Sequence, residues 1–135
     1  EDFKNIYNQN SKINSVVERW SLNTSMMKKI SEEMNSNYFV ILQPTLGIKN
    51  DVHQIPINSN DYSLYKNLDD KYISSINFLY KKFKLEFNKK TYCFDLSNII
   101  LPDGNSYTDP RHHNENGNNE IANEILKIIE TQLLN

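Results

Sequence analysis

Residues 38–44 read YFVILQP. Five apolar side chains in succession, Tyr38 to Leu42, rich in β-branching and stopped by Gln43-Pro44, describe a strand buried on both faces. Such strands belong to parallel sheets covered by helices. Pro44 ends the strand because proline has no N–H to give to a ladder. On the N-terminal side, Ile13, Val16, Val17, Trp20, Met26, Met27, Ile30 and Met34 recur near helical spacing. They predict a helical segment over about 12–35, with a break around Ser21 to Thr24 and Met26 and Met27 as core filler. On the C-terminal side, a polar loop from Thr45 to about Asn60 precedes a second helix through Leu68, Tyr72, Ile76, Leu79, Tyr80 and Phe83. A short strand, TYCFDL (91–96), follows, then the turn signal Leu101-Pro102-Asp103-Gly104. A last helix runs from about Gly117 to Leu134, with Ile121, Ile125, Ile128, Ile129 and Leu133 on one stripe. Helix, strand, helix, strand, helix is the order of an α/β fold with parallel strands. Two strands are too few to cover three helices, so further sheet is expected outside residues 1–135.

At 135 residues, with 38% hydrophobic and 24% charged side chains, the chain can build one domain core. The formal net charge of −2 leaves no electrostatic footprint for nucleic acid or an anionic membrane. Lys81, Lys82, Lys84, Lys89 and Lys90 cluster, but Glu86 interrupts them, and they read as a solvated helix end. No apolar run approaches the roughly 20 residues that span a bilayer. The single cysteine, Cys93, rules out an internal disulfide and sits in an apolar run, as a buried inert thiol does. The chain opens at Glu1 with neither an initiator methionine nor a signal peptide, as expected of a piece of a longer protein or a processed one, so its localisation is not read from this sequence.

The chemistry-bearing stretch is YTDPRHHNENGNNEIANEIL, Tyr107 to Leu126. A carboxylate three residues before an imidazole, in a tight turn ahead of a helix, can reach the Nδ1–H. It then fixes the tautomer and leaves Nε2 to accept a proton. On this reading Asp109 and His112 form the orienter-and-base half of a nucleophilic triad. Two other readings of the same residues stand beside this one. One is a solvated turn whose Asp109 bonds nearby backbone. The other is a metal site from Asp109, His112 and His113, although adjacent histidines point in different directions.

The wider pattern resembles the final block of the SGNH (GDSL-type) hydrolase family. That block places Asp and His three apart, then Gly-Asn five residues past the His, then Ile-Ala on a helix. Here the match is Asp109, His112, Gly117, Asn118, Ile121 and Ala122. FDLSNII (94–100) looks like the strand and exit that lead to it, and YFVILQPTL like the preceding strand. The resemblance covers roughly residues 12–134. It implies a three-layer α/β/α sandwich around a parallel sheet, flavodoxin-like in arrangement, of which residues 1–135 form the C-terminal portion of a single domain. It implies hydrolysis of carboxylic esters, acetyl or acyl groups on small molecules or carbohydrates, or transfer of such groups, with no metal or organic cofactor. In its terms His112 is the general base and Asp109 its orienter, while His113 has no assigned role. The family's Gly-Asp-Ser nucleophile block is absent, as is its Gly-x-Asn-Asp block; the only glycines are Gly47, Gly104 and Gly117. The expected function is therefore the C-terminal part of a serine esterase whose Ser lies outside this chain, inactive alone. The alternative is a non-catalytic α/β module that binds a ligand or partner and keeps a degenerate motif.

Overall fold

The structure is a computed structural model and describes residues 2–48, 55–99 and 104–133. It is mixed α/β. In order come α1 (Asp2–Glu33), β1 (Val40–Leu42), α2 (Asn60–Lys66), α3 (Asp70–Phe87), β2 (Cys93–Asp95), β3 (Tyr107–Asp109), β4 (His112–His113) and α4 (Glu115–Leu133). Among the described residues the strands form two sheets of two, β1 with β2 and β3 with β4. The chain divides into two compact units, Glu1–Val40 with Phe78–Phe94, and Ile41–Asn77 with Asp95–Asn135.

In the first unit α1 is continuous where a break was expected. Thr24 Oγ1 and Ser25 Oγ both donate to the Ser21 carbonyl, at 3.1 and 2.9 Å. Hydroxyls that compete with a helix when unsatisfied are thereby absorbed into it. The helix stops in a Schellman motif. Asn35 takes the left-handed conformation (φ 51°), Ser36 N donates to Ser31 O at 2.8 Å and Asn35 N to Glu32 O at 3.0 Å. Its packed side carries Val17 and Trp20, whose ring stacks on Phe87 and meets Phe83 edge-on, both at 5.0 Å between centroids. Met26 and Met27 are not core filler: they are 53% and 49% exposed, as are Val16 and Ile30 at similar values. Periodicity located an apolar stripe wider than the neighbours that cover it.

The strand run is also shorter than expected. Only Val40–Leu42 is strand, and Val40 and Ile41 are half-buried rather than enclosed on both faces. Tyr38 and Phe39 pack on Tyr92 and Phe94 at 5.7 and 5.9 Å. Val40 N donates to Tyr92 O and Leu96 N to Leu42 O, both at 2.9 Å. The lysines near the end of α3 are used locally: Lys89 pairs with Glu86 at 2.5 Å and Lys90 Nζ donates to Ser25 Oγ at 2.6 Å.

Burial pushes the half-buried Cys93 thiol up from 9.0 to about 11, against the pull of Lys90. At pH 8 its thiolate is then about 100-fold scarcer than at the ordinary value. Iodoacetamide should alkylate the native chain about 100-fold more slowly than the denatured chain at that pH. Equal rates would mark an exposed, reactive thiol.

In the second unit the expected helix through Leu68 is two helices. Ser59 Oγ accepts from Tyr62 N at 3.1 Å to cap α2, and Asp69 Oδ1 accepts from Tyr72 N at 2.6 Å to start α3 afresh. The core here is Leu42, Leu46, Ile48, Leu96, Tyr107 and Ile121. Of the expected long loop, residues 49–54 lie outside the described residues, as do Leu101 to Asp103 of the turn signal.

Candidate functional site

Asp109-Pro110-Arg111-His112 forms the tip of an antiparallel hairpin that pairs Tyr107 with His113 and Asp109 with His112. Proline fits the second position of a type I or II turn, and type II needs a positive φ at the third. Asn35 is the only described non-glycine residue with positive φ, so the turn is not type II. The irregular register between Tyr107 and Asp109 leaves Thr108 as the extra residue of the hairpin.

The turn places the base and its orienter together. Asp109 Oδ1 accepts from Arg111 N at 2.9 Å and His112 N at 3.1 Å, while Oδ2 lies 2.7 Å from His112 Nδ1. The backbone bonds hold the Asp109 carboxyl below the usual carboxylate range, with Arg111 N–H the largest cause and the His112 side chain next. An ionised carboxylate only accepts, so His112 Nδ1 is the donor in this contact. Asp109 is 49% exposed and His112 77%, so the pair stands at the surface.

His113 faces the other way. It is half-buried, its ring 4.6 Å from that of Tyr107, and Nε2 is buried with no hydrogen-bond partner. Burial holds its pKa down, outweighing the upward pulls of the Pro44 carbonyl and Asp61. Successive residues of a strand alternate faces, and the two imidazoles do so here. Among the described residues no group of three or more His, Cys, Asp or Glu is arranged to hold a metal ion.

The hairpin is tied down by residues that the sequence pattern did not single out. The Pro110 carbonyl accepts from Leu46 N at 3.1 Å and Thr45 Oγ1 at 2.9 Å, so the start of the loop after β1 supports the turn. Asp61, 2% exposed in the first turn of α2, accepts from Ser106 N at 2.9 Å and Tyr107 N at 3.0 Å. Its own N–H donates to the Gly104 carbonyl at 2.9 Å. Asn60 Nδ2 donates to Tyr107 O at 2.9 Å. Asn114 closes the other end: its Oδ1 accepts from Gly117 N at 3.1 Å to cap α4, and its N donates to Ser106 O at 3.0 Å. Gly117 is required by close approach, since a Cβ there would overlap the Ser106 carbonyl oxygen and lie 3.1 Å from His113 Cβ.

Beside the dyad is an open cleft of about 430 Å³, lined by Leu68, Asp69, Tyr72, Asp109, Arg111 and His112 among others. Among the described residues no Ser, Thr or Cys side chain hydrogen-bonds to the His112 ring, whose Nδ1 contact is with Asp109 Oδ2. No described helix is long and apolar enough to cross a membrane. No protein-family model, curated protein or solved structure matches the chain.

Proposed function

We propose that Asp109 and His112 are the orienter and general base of a serine esterase whose nucleophile lies outside residues 1–135. The observation that carries this is the 2.7 Å contact between Asp109 Oδ2 and His112 Nδ1 on an exposed turn beside a cleft. A structural ion pair needs neither a cleft nor an exposed ring. A base needs both, because substrate and serine must reach Nε2. The family resemblance of residues 109–122 supports the same assignment.

The chemistry would run in two balanced halves. His112 Nε2 takes the proton of the serine hydroxyl as its oxygen attacks the ester carbonyl carbon. The resulting imidazolium, held by Asp109, returns that proton to the departing alkoxide as the C–O bond breaks. Water then repeats the sequence on the acyl-serine and releases the carboxylic acid. The full domain would be a three-layer α/β/α sandwich, with β1 and β2 joined by further parallel strands from outside this chain. A small-molecule or carbohydrate ester fits the open cleft.

Chemical labelling tests the reading. A fluorophosphonate should mark one serine of a longer protein carrying this chain, at a position outside residues 1–135, and His112→Ala should abolish the mark. The isolated chain should hydrolyse p-nitrophenyl acetate without saturation, no faster than free imidazole. Saturable turnover by the chain alone would place the nucleophile inside it. A longer protein with no labelled serine would leave the non-catalytic binding module in its place.

A further inference from the structure

The side chain next to the base is itself arranged for a ligand. Arg111 occupies the third position of the turn, and its guanidinium carbon lies 5.5 Å from the centroid of the Tyr72 ring. Both residues line the cleft with His112. A guanidinium docked on an aromatic face keeps its edge N–H donors available and loses little freedom on binding an anion.

Two carboxylates also line this cleft, yet neither forms an ion pair with Arg111 among the described residues. Asp109 is occupied on both oxygens, by the Arg111 and His112 amides and by the His112 ring. Asp69 Oδ1 is occupied by the Tyr72 amide. A cationic ligand would meet carboxylates already accepting N–H groups, and would also meet Arg111. An anionic group would meet a fixed fork of donors, with Leu68 and Tyr72 beside it as apolar wall. We infer that the cleft selects carboxylic esters that carry a second, anionic group, a carboxylate or a phosphate, and that Arg111 is the residue that binds it. This rests on the ester reading for the position of the reacting carbonyl, and on the Arg111–Tyr72 geometry for the anion.

Monomethyl succinate and methyl 4-oxopentanoate are close in shape and differ in charge, so they separate the two terms. In an NMR titration of the 135-residue chain, followed at the Arg111 side-chain and His112 ring resonances, the charged ester should bind on the order of tenfold more tightly. 2-Acetoxyethyl phosphate, run in parallel, decides whether phosphate or carboxylate is the better anion. Arg111→Gln should remove the preference for charge, and Arg111→Lys should keep part of it. The side chain is exposed, so these variants should fold, which their amide spectra would verify. Equal affinity for charged and neutral esters, or a preference that survives Arg111→Gln, overturns the anion site whatever happens at His112. Charged ligands that shift Arg111 without shifting His112 would uphold the anion site and remove the ester reading.

Discussion

Replacing His112 by alanine is expected to lower kcat for ester hydrolysis on the order of 10⁴-fold in the longer protein that supplies the serine. Without the imidazole the serine proton has no acceptor at the moment of attack, and the leaving alkoxide has no donor. What remains is binding and whatever polarises the carbonyl. His113→Ala is the informative partner experiment, because the two residues are chemically identical and adjacent. The His113 ring packs on Tyr107 and its Nε2 is buried, so it has no path to a substrate in the cleft. Its loss should cost stability through a cavity, about 1–3 kcal/mol, and leave kcat within a few-fold. Steady-state kinetics with p-nitrophenyl acetate, run beside thermal melts, separate the outcomes. Loss of turnover in His113→Ala with activity kept in His112→Ala would put the base one residue along. Activity kept in both folded variants would remove the hydrolase assignment.

The difference between those two histidines was legible in the sequence only in part. Asp-x-x-His is a local signal: Pro110 fixes the turn, and three residues bring the carboxylate to the ring wherever the hairpin sits. That His113 turns inward follows from strand alternation, yet a two-residue strand leaves no pattern to read. The same limit applies to β3, whose three residues are too few for alternation to be recognised. YFVILQP announced a strand and its exit, and its apolar run suggested enclosure on both faces, but burial depends on neighbours. Val40 and Ile41 are half-buried, and only Leu42 of the strand is buried. In α1 the periodicity of the methionines is genuine, and 53% exposure at Met26 shows that periodicity gives a face, not what lies against it. The split between α2 and α3 was readable in principle. Asp69 three residues ahead of Tyr72 is a capping signal, overridden in the pattern by the apolar spacing of Leu68 and Tyr72.

Asp61 left the least trace of all, and Asp61→Ala should be the most destabilising single change in the second unit. The carboxylate is 2% exposed and joins α2 to a segment 45 residues later, a pairing that no spacing rule encodes. Ser106 N reaches both oxygens, at 3.1 and 2.9 Å, and Tyr107 N reaches Oδ1 at 3.0 Å. Ser106 is itself 1% exposed, so water cannot replace the acceptor without opening the structure. Alanine would strand two buried amides, at about 1–3 kcal/mol each, and leave a cavity, for a total of about 3–5 kcal/mol. That is a large part of the 5–15 kcal/mol typical of a domain. The expected fall in melting temperature is about 10–20 °C. Asp61→Asn keeps one acceptor oxygen for the Tyr107 amide but turns an NH₂ toward donors, so roughly half of the loss is expected. The consequence reaches the dyad, because Ser106 and Tyr107 lead directly into the strand that ends at Asp109. Hydrogen exchange at the Ser106 and Tyr107 amides should rise in both variants, and the Asp109–His112 contact should loosen with it. Unchanged melting and unchanged exchange in Asp61→Ala would mean that the hairpin is held by Asn60, Thr45 and Asn114 without the buried carboxylate.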